Sequence, residues 1–451
     1  MNSKRINFEN EHTGLMWLFL FSMFIVTSFY VFETSRFLGS FYDEIVSLMS
    51  NYSFITGLDF DASYAKDISG NYSAKLSSGP ISAVGSALGW LISKNLLISR
   101  ISNFLWLCIL LAILIKYTLN KFALQKYTFI IYSFLAIIIH PWWYGTLYSL
   151  GEAISTTILF FGFLLFSKNR KISLLLIGTA IIFGKYINVL CFIFFYLFII
   201  YKEKKINRIL NDAVLFSVPF IVWFILVAVH HESGLFGWLQ DFYKYYISTN
   251  QSIEIKSSLN FSIQSLNEKI AFSELQKWNM ADFLRVLIMP AMVIFLLFFK
   301  NMFVEGKLRE VIEPVIFSML PIYVWFWLSS PTKWIRYSQS FVLLGLLVVG
   351  FIMANKRSLK LNEFLYVFVM FSFFLSSNLI FFIFYVFILI LFLFRKQINT
   401  QLINIYIISF LILSLVNSSY EISLKEKEYP DMNDCVVELN SRSCYTSYIQ
   451  S

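Results

Sequence analysis

Long apolar runs separated by short basic segments recur along most of the chain. A helix that crosses a bilayer needs roughly 20 predominantly apolar residues, because the hydrocarbon core is about 30 Å thick. We therefore predict an all-α, polytopic membrane protein with about 13 transmembrane helices. The predicted spans are 14–32, 101–118, 127–142, 149–167, 172–184, 187–201, 211–230, 283–300, 313–329, 338–354, 363–377, 379–394 and 401–417. The spans within 172–201 and within 363–394 could be divided at other residues. The stretch 172–201 also fits a pair of re-entrant helices.

The composition argues against a soluble protein. Hydrophobic residues make up 58% of the 451 residues and charged residues only 14%, whereas soluble domains carry about 25% charged residues. The net charge is +9, which in a soluble protein would favour a nucleic-acid partner. Most Lys and Arg lie between apolar runs, so we interpret them as determinants of membrane topology and predict no nucleic-acid partner.

The positions of Lys and Arg predict the orientation of the chain. With the N-terminus inside, every predicted inside segment is basic and the short outside segments contain few cations, which is the positive-inside pattern. An odd number of spans then places the C-terminus outside. We predict a bacterial inner (plasma) membrane protein with its active site on the periplasmic or external side.

Two long outside segments, about 33–100 and 231–282, interrupt the predicted transmembrane domain, 1–417. A short outside tail, 418–451, follows it and contains Cys435 and Cys444. A disulfide between these cysteines and a pair of free thiols both fit this compartment.

The first outside segment contains an acidic pair, Asp43-Glu44. The pair fits either a solvated loop surface or a general base that meets a lipid-linked substrate at the outer leaflet. Further on, the apolar stretch 81–98 is weakly amphipathic and interrupted by Lys94, which predicts a helix lying in the membrane interface. We place Arg100 between this helix and the second span.

This order of features resembles the GT-C superfamily of polyprenyl-phosphate-sugar-dependent glycosyltransferases, which includes protein O-mannosyltransferases and lipid A aminoarabinose transferases. Asp43-Glu44 is similar to that family's acidic motif, where the catalytic carboxylate lies. Ser78-Gly79-Pro80 with Arg100 is similar to the stretch that leads into its second span. The resemblance is clearest over 30–190 and 329–345, and it implies Asp43 as the catalytic base, with Glu44 as the second candidate.

Polar residues also lie near the predicted outer ends of several spans, where a charged group is costly without a partner or a function. His140 closes the third span beside aromatic residues that also fit an interface belt, and it is a candidate substrate-binding residue. Glu152 begins the fourth span, where acceptor binding and a structural role fit equally. Lys185 lies in the turn between the fifth and sixth spans, where phosphate binding and snorkelling to outside water both fit.

Two more cations, Lys333 and Arg336, precede the tenth span. Arg suits phosphate because its planar fork matches phosphate oxygens and stays charged. The dipeptide Arg336-Tyr337 resembles a motif found before a late span in the same superfamily. We therefore predict that Lys333, Arg336 and Tyr337 bind the phosphate of the donor.

These residues together predict a hexosyl- or pentosyltransferase whose partners are a polyprenyl-phosphate sugar donor, membrane lipid and a glycan, lipid or protein acceptor. Direct displacement predicts inversion at the anomeric carbon, since no second carboxylate is evidently placed for a covalent intermediate. No His or Cys pair has zinc-binding spacing, so we expect no metal site and no cofactor, although a divalent cation between acid and phosphate also fits. The alternatives are an O-antigen or polysaccharide polymerase and a non-enzymatic lipid-linked sugar flippase or transporter.

Overall fold

The structure, a computed structural model, describes residues 84–122, 124–138, 151–204, 206–230, 307–328 and 339–355 continuously. It also describes the pairs 358–359 and 398–399 and single residues among 17–56, 81, 234–240, 408 and 412. The helices are α1 Val84–Ser93, α2 Leu96–Lys121, α3 Lys126–Ile138, α4 Glu152–Leu165, α5 Arg170–Ile182, α6 Asn188–Glu203, α7 Ile209–His230, α8 Lys307–Leu328 and α9 Gln339–Asn355. A 3₁₀ turn at Ile206–Arg208 precedes α7, and β1 Ser358–Leu359 pairs with β2 Ile398–Asn399 in antiparallel register. The prediction of an all-α fold is confirmed for the described residues apart from this two-residue pairing.

Three stretches of the described chain are long and apolar enough to cross a bilayer: Leu96–Lys121, Ile206–Leu226 and Arg309–Leu328. Each predicted run between 101 and 230 coincides with a helix, as do those at 313–329 and 338–354. The runs 283–300, 363–377 and 379–394 lie outside the described residues, and 14–32 and 401–417 are described only at single residues. The full number of spans and the orientation stay predictions.

Helix α9 forms the centre of the described bundle. Its residues are buried on every side from Ser340 to Ala354, as expected for a helix that is apolar all round. It packs against α3, α4 and α8. Phe351 meets Phe129 and Phe160 in edge-to-face contacts, which is a favourable geometry for aromatic pairs.

Helices α1 and α2 form an antiparallel hairpin with closely packed backbones. A Cβ at Gly85 would lie within 2.9 Å of atoms of 102–106, whereas a Cβ at Gly89 would lie within 2.8 Å of atoms of 98–102. The two backbones therefore run side by side in opposite directions, which only glycine permits at this distance. The apolar side chains of Leu88, Leu91 and Ile92 stay exposed on the outer side of α1.

The predicted helix over 81–98 ends earlier than expected, because Lys94 takes a left-handed conformation with φ of 52°. Asn95 then caps α2, its side-chain oxygen accepting a hydrogen bond of 2.8 Å from the amide of Leu97. Asn is among the preferred N-cap residues for this reason. Arg100 consequently lies inside the second helix, not before it.

A group of ion pairs, the Arg170 cluster, ties α5, α6 and α7 together. Arg170 at the start of α5 donates hydrogen bonds to Asp212 of α7 and to Glu203 of α6, the latter at 2.8 Å. Tyr196 of α6 donates a further hydrogen bond of 2.7 Å to the same Asp212 oxygen. A second ion pair, between Lys202 and Glu313, joins α6 to α8.

Candidate functional site

Of the acidic pair in the predicted first outside segment, the structure describes Glu44, which is bound to Arg100. The Nε and Nη2 atoms of Arg100 donate hydrogen bonds of 2.8 and 2.7 Å to the two carboxylate oxygens of Glu44. Both side chains are 0% exposed. This two-bond geometry is the strongest that arginine and a carboxylate form. This contact holds Glu44 against α2.

One face of that segment follows the hairpin toward its tip. Glu44, Leu48 and Tyr52 are helical residues four apart, so they share a helix face. Leu48 packs against Trp90 and Leu96 of the hairpin. Lys94 at the tip donates a hydrogen bond of 2.5 Å to the Tyr52 hydroxyl and lies 3.8 Å from the centre of its ring.

Asp43, the predicted base, lies outside the described residues. Its role as the base stays a prediction.

A second ion pair joins two other predicted site residues, Glu152 and Lys185. The Lys185 ammonium lies 3.2 Å from Glu152 Oε1, and the two side chains are 10% and 1% exposed. Glu152 is the first residue of α4, where the helix dipole favours a negative charge. Gly151 precedes it with φ of 85°, a conformation that glycine adopts without strain.

Ser155, one turn further along α4, holds this region together. Its hydroxyl donates a hydrogen bond of 2.5 Å to the carbonyl of Ala180 at the end of α5. It accepts one of 3.1 Å from the Lys185 amide and one of 2.6 Å from the Asn188 side chain at the start of α6. One donor and two acceptor positions exhaust the capacity of a serine hydroxyl. We call Glu152, Ser155, Lys185 and Asn188 the Ser155 cluster.

The turn between α5 and α6 fits closely against α4. A Cβ at Gly184 would lie 2.7 Å from the Ser155 Oγ atom and 2.2 Å from the carbonyl oxygen of Ala180, so this position admits only glycine. The amide of Ile81 donates a hydrogen bond of 2.8 Å to the carbonyl of Phe183. This bond places the start of the α1–α2 hairpin beside the turn that contains Lys185.

Three acceptor atoms of the Ser155 cluster receive no hydrogen bond from the described residues. They are both carboxylate oxygens of Glu152 and the side-chain oxygen of Asn188. The contact of Lys185 with Glu152 is therefore an ion pair without hydrogen-bond geometry. Buried acceptors in native proteins generally have a donor, so these three atoms call for a specific explanation.

The structure brings together Glu152 and Lys185, whose contact the sequence did not predict. It pairs Glu44 with Arg100, and the Ile81 bond joins the hairpin that contains Arg100 to the turn that contains Lys185. The predicted site residues outside the described part are Asp43, His140, Lys333, Arg336 and Tyr337. Among the described residues, no three His, Cys, Asp or Glu side chains are grouped in a way that fits a metal ion.

Sequence reasoning missed Ser155 and Asn188. Both signals were present, because Ser155-Thr156-Thr157 and Asn188 are polar residues within otherwise apolar runs. A polar residue within a membrane helix is a candidate for function by default. Cys108 and Cys191, which also lie within apolar runs, are free thiols.

Comparison of the chain with protein-family models, with curated protein sequences and with solved structures gives no significant match.

Proposed function

We propose that the chain is a membrane glycosyltransferase that moves a sugar from a polyprenyl-phosphate carrier to an acceptor at the outer face of the membrane. The proposal includes about 13 spans, with the N-terminus inside and the C-terminus outside. The observation that best supports it is the buried Glu44–Arg100 pair. A solvated loop surface, the competing interpretation of the acidic motif, would leave Glu44 exposed.

In this proposal Asp43 is the catalytic base and Glu44 positions it. Both oxygens of Glu44 accept hydrogen bonds from Arg100, so this carboxylate is engaged by a cation. Asp43 takes the proton from an acceptor hydroxyl as that oxygen attacks the anomeric carbon. The bond from the anomeric carbon to the phosphate oxygen breaks with its electron pair, and polyprenyl phosphate leaves with inversion of the sugar.

The leaving phosphate is stabilised by fixed cations, which are most effective where water is excluded. Arg336 and Lys333 take this role in the proposal, with His140 and Tyr337 as neighbouring substrate contacts. Lys185 comes second, because Glu152 already neutralises its charge. The proposal requires no metal ion and no cofactor.

The test is transfer by the purified full chain in lipid nanodiscs. Radiolabelled polyprenyl-phosphate mannose, glucose and galactose are incubated with membrane extract, and labelled product is measured for the wild type and Asp43→Asn. We expect Asp43→Asn to lower the rate by about 100-fold or more, since a positioned base contributes roughly 100- to 10,000-fold. Asp59→Asn, a change of another carboxylate in the same outside segment, is the matched control and should leave transfer unchanged.

Equal transfer by the wild type and Asp43→Asn would remove Asp43 as the base. Consumption of no lipid-phosphate sugar by the wild type would refute the transferase. Movement of the intact lipid-linked sugar across the bilayer would then favour a transporter, and elongation of a lipid-linked polymer would favour a polymerase.

A further inference from the structure

We infer that Glu152 and Asn188 form a binding site for hydroxyl groups of the donor sugar, an inference that rests on the glycosyltransferase function proposed above. Glu152 is 1% exposed and Asn188 is 0% exposed. Their three acceptor atoms lack a hydrogen-bond donor among the described residues. Native folds satisfy most buried acceptors, so an acceptor without a donor needs an explanation, and a bound ligand is one.

The three acceptors belong to one site. Lys185 links them, because its ammonium contacts Glu152 and its backbone amide donates to Ser155. Ser155 in turn accepts a hydrogen bond from the amide group of Asn188. The unused oxygen of Asn188 and the unused oxygens of Glu152 therefore lie on the same small framework of α4 and the α5–α6 turn.

The charge of the site selects the chemistry of its ligand. The negative charge of Glu152 and the positive charge of Lys185 cancel, so the ion pair carries no net charge. A phosphate would meet the carboxylate, and a cationic group would meet the ammonium. A neutral group that donates hydrogen bonds fits all three acceptors, and a sugar hydroxyl is such a group. A carboxylate accepts at both oxygens and so suits two hydroxyls on adjacent carbons of a sugar.

The framework holds these acceptors in place before any ligand arrives. Ser155 uses its full hydrogen-bonding capacity on Ala180, Lys185 and Asn188. Gly184 allows the turn to lie against α4, where any larger residue would collide with Ser155. A binding site gains selectivity when its polar groups are fixed by such supporting contacts.

The position of the cluster fits a sugar that is carried on a membrane lipid, as the sugar of the donor is. Both Glu152 and Lys185 lie at the ends of helices that we assign to the outer part of the bilayer. A sugar on a lipid carrier arrives at this depth. The hydrogen bond from Ile81 to Phe183 also joins this turn to the hairpin that contains Arg100, the partner of Glu44.

The experiment measures binding of donor with and without its sugar. The full chain in lipid nanodiscs is titrated with polyprenyl phosphate and with polyprenyl-phosphate mannose, glucose and galactose, without acceptor. The ratio of the two dissociation constants, bare carrier over sugar-loaded carrier, isolates the contribution of the sugar. We expect the wild type to prefer at least one sugar-loaded carrier.

Glu152→Gln should lower this preference about tenfold or more, because hydrogen bonds to a charged acceptor discriminate to that extent. Affinity for the bare carrier should change little. Glu313→Gln is the matched control, since Glu313 is also a buried carboxylate paired with a lysine, at 5% exposure. It should retain the wild-type preference.

A double variant, Glu152→Gln with Lys185→Met, guards against loss of folding, because it removes both charges of the ion pair together. It should also lose the preference. A wild-type preference that survives in Glu152→Gln, or equal binding of bare and loaded carriers by the wild type, would overturn the site while leaving the transferase standing. Failure of the wild type to bind any of the four lipids would instead refute the transferase itself.

Discussion

Buried carboxylates in two regions of the molecule have very different partners. Asp212 in the Arg170 cluster is 5% exposed and accepts hydrogen bonds from Arg170 and Tyr196. Glu152 in the Ser155 cluster is 1% exposed, contacts Lys185 as an ion pair and accepts no hydrogen bond from the described residues. Both residues are buried carboxylates, but Asp212 accepts hydrogen bonds and Glu152 accepts none from the described residues.

This difference separates a carboxylate that joins helices from one that has capacity for a ligand. Asp212 connects α5, α6 and α7 through its donors, and its contribution is to stability. A buried charge without hydrogen bonds contributes little to stability, because desolvation offsets the attraction of the pair. Glu152 therefore fits a binding role, and the comparison predicts how each site responds to substitution.

Stability can be measured through the protein's own thiols. Cys191 is buried and Cys108 partly buried, and both are free. A thiol-reactive dye would label them on thermal unfolding in detergent. Replacing Cys435 and Cys444 by Ser would prevent the dye from labelling the C-terminal tail, 418–451.

The largest loss is expected for Arg100→Leu, which leaves Glu44 buried without its partner. Removing one member of a buried pair costs about 3–5 kcal/mol. The dye assay should show a lower unfolding temperature than for any variant below. Adding Glu44→Leu should restore much of the stability, because the unpaired charge is then gone. Wild-type stability in Arg100→Leu would contradict the burial of this pair.

A smaller loss is expected for Asp212→Asn. The change keeps the size of the side chain but removes the charge that Arg170 and Tyr196 bind, and such charge-assisted bonds contribute about 1.5–3 kcal/mol. The same dye assay measures it. Tyr196→Phe, which removes one of the donors, should show a part of this loss. An unfolding temperature equal to that of the wild type would remove the distinction between the two clusters.

Glu152→Gln should affect stability less than Asp212→Asn, because the Glu152 oxygens lose no hydrogen bond from the described residues. Lys185, with 10% of its side chain exposed, can direct its ammonium toward water. This variant is the sharpest test of the comparison. A loss as large as that of Asp212→Asn would show that the oxygens of Glu152 are already fully used by the protein.

The smallest effect is expected for Glu203→Gln. Its carboxylate is 36% exposed, and exposed ion pairs contribute about 0–1 kcal/mol. Raising the salt concentration should reduce even this difference between Glu203→Gln and the wild type. A large loss would mean that the Arg170 cluster depends on its exposed contact as much as on Asp212.

The positions of the helices could be predicted because each helix corresponds to a continuous apolar run in the sequence. The predicted span 172–184 and the observed helix Arg170–Ile182 differ by about two residues, within the usual spread of helix ends. The break before α2 was missed because Lys94 and Asn95 interrupt an apolar stretch without any proline or glycine. A left-handed residue followed by an N-cap leaves only a weak signal in the sequence.

The ion pairs could not be predicted, because their members are distant in the chain. Glu44 and Arg100 are 56 residues apart, and no periodic pattern connects them. Glu152 and Lys185, each singled out separately in the sequence, lie in contact, and their roles in a site stay predictions. The roles of Asp43, His140, Lys333, Arg336 and Tyr337 stay predictions.

The enclosure of α9 has a consequence for how the protein is made. Phe129 and Phe160 of α3 and α4 contact Phe351 of α9, which the ribosome adds about 200 residues later. In the arrangement of about 13 spans that we propose, lipid tails cover the surfaces of α3 and α4 until α9 arrives and displaces them. The bundle is then completed from its periphery inward, and its central helix is among the last of the described helices to be synthesised.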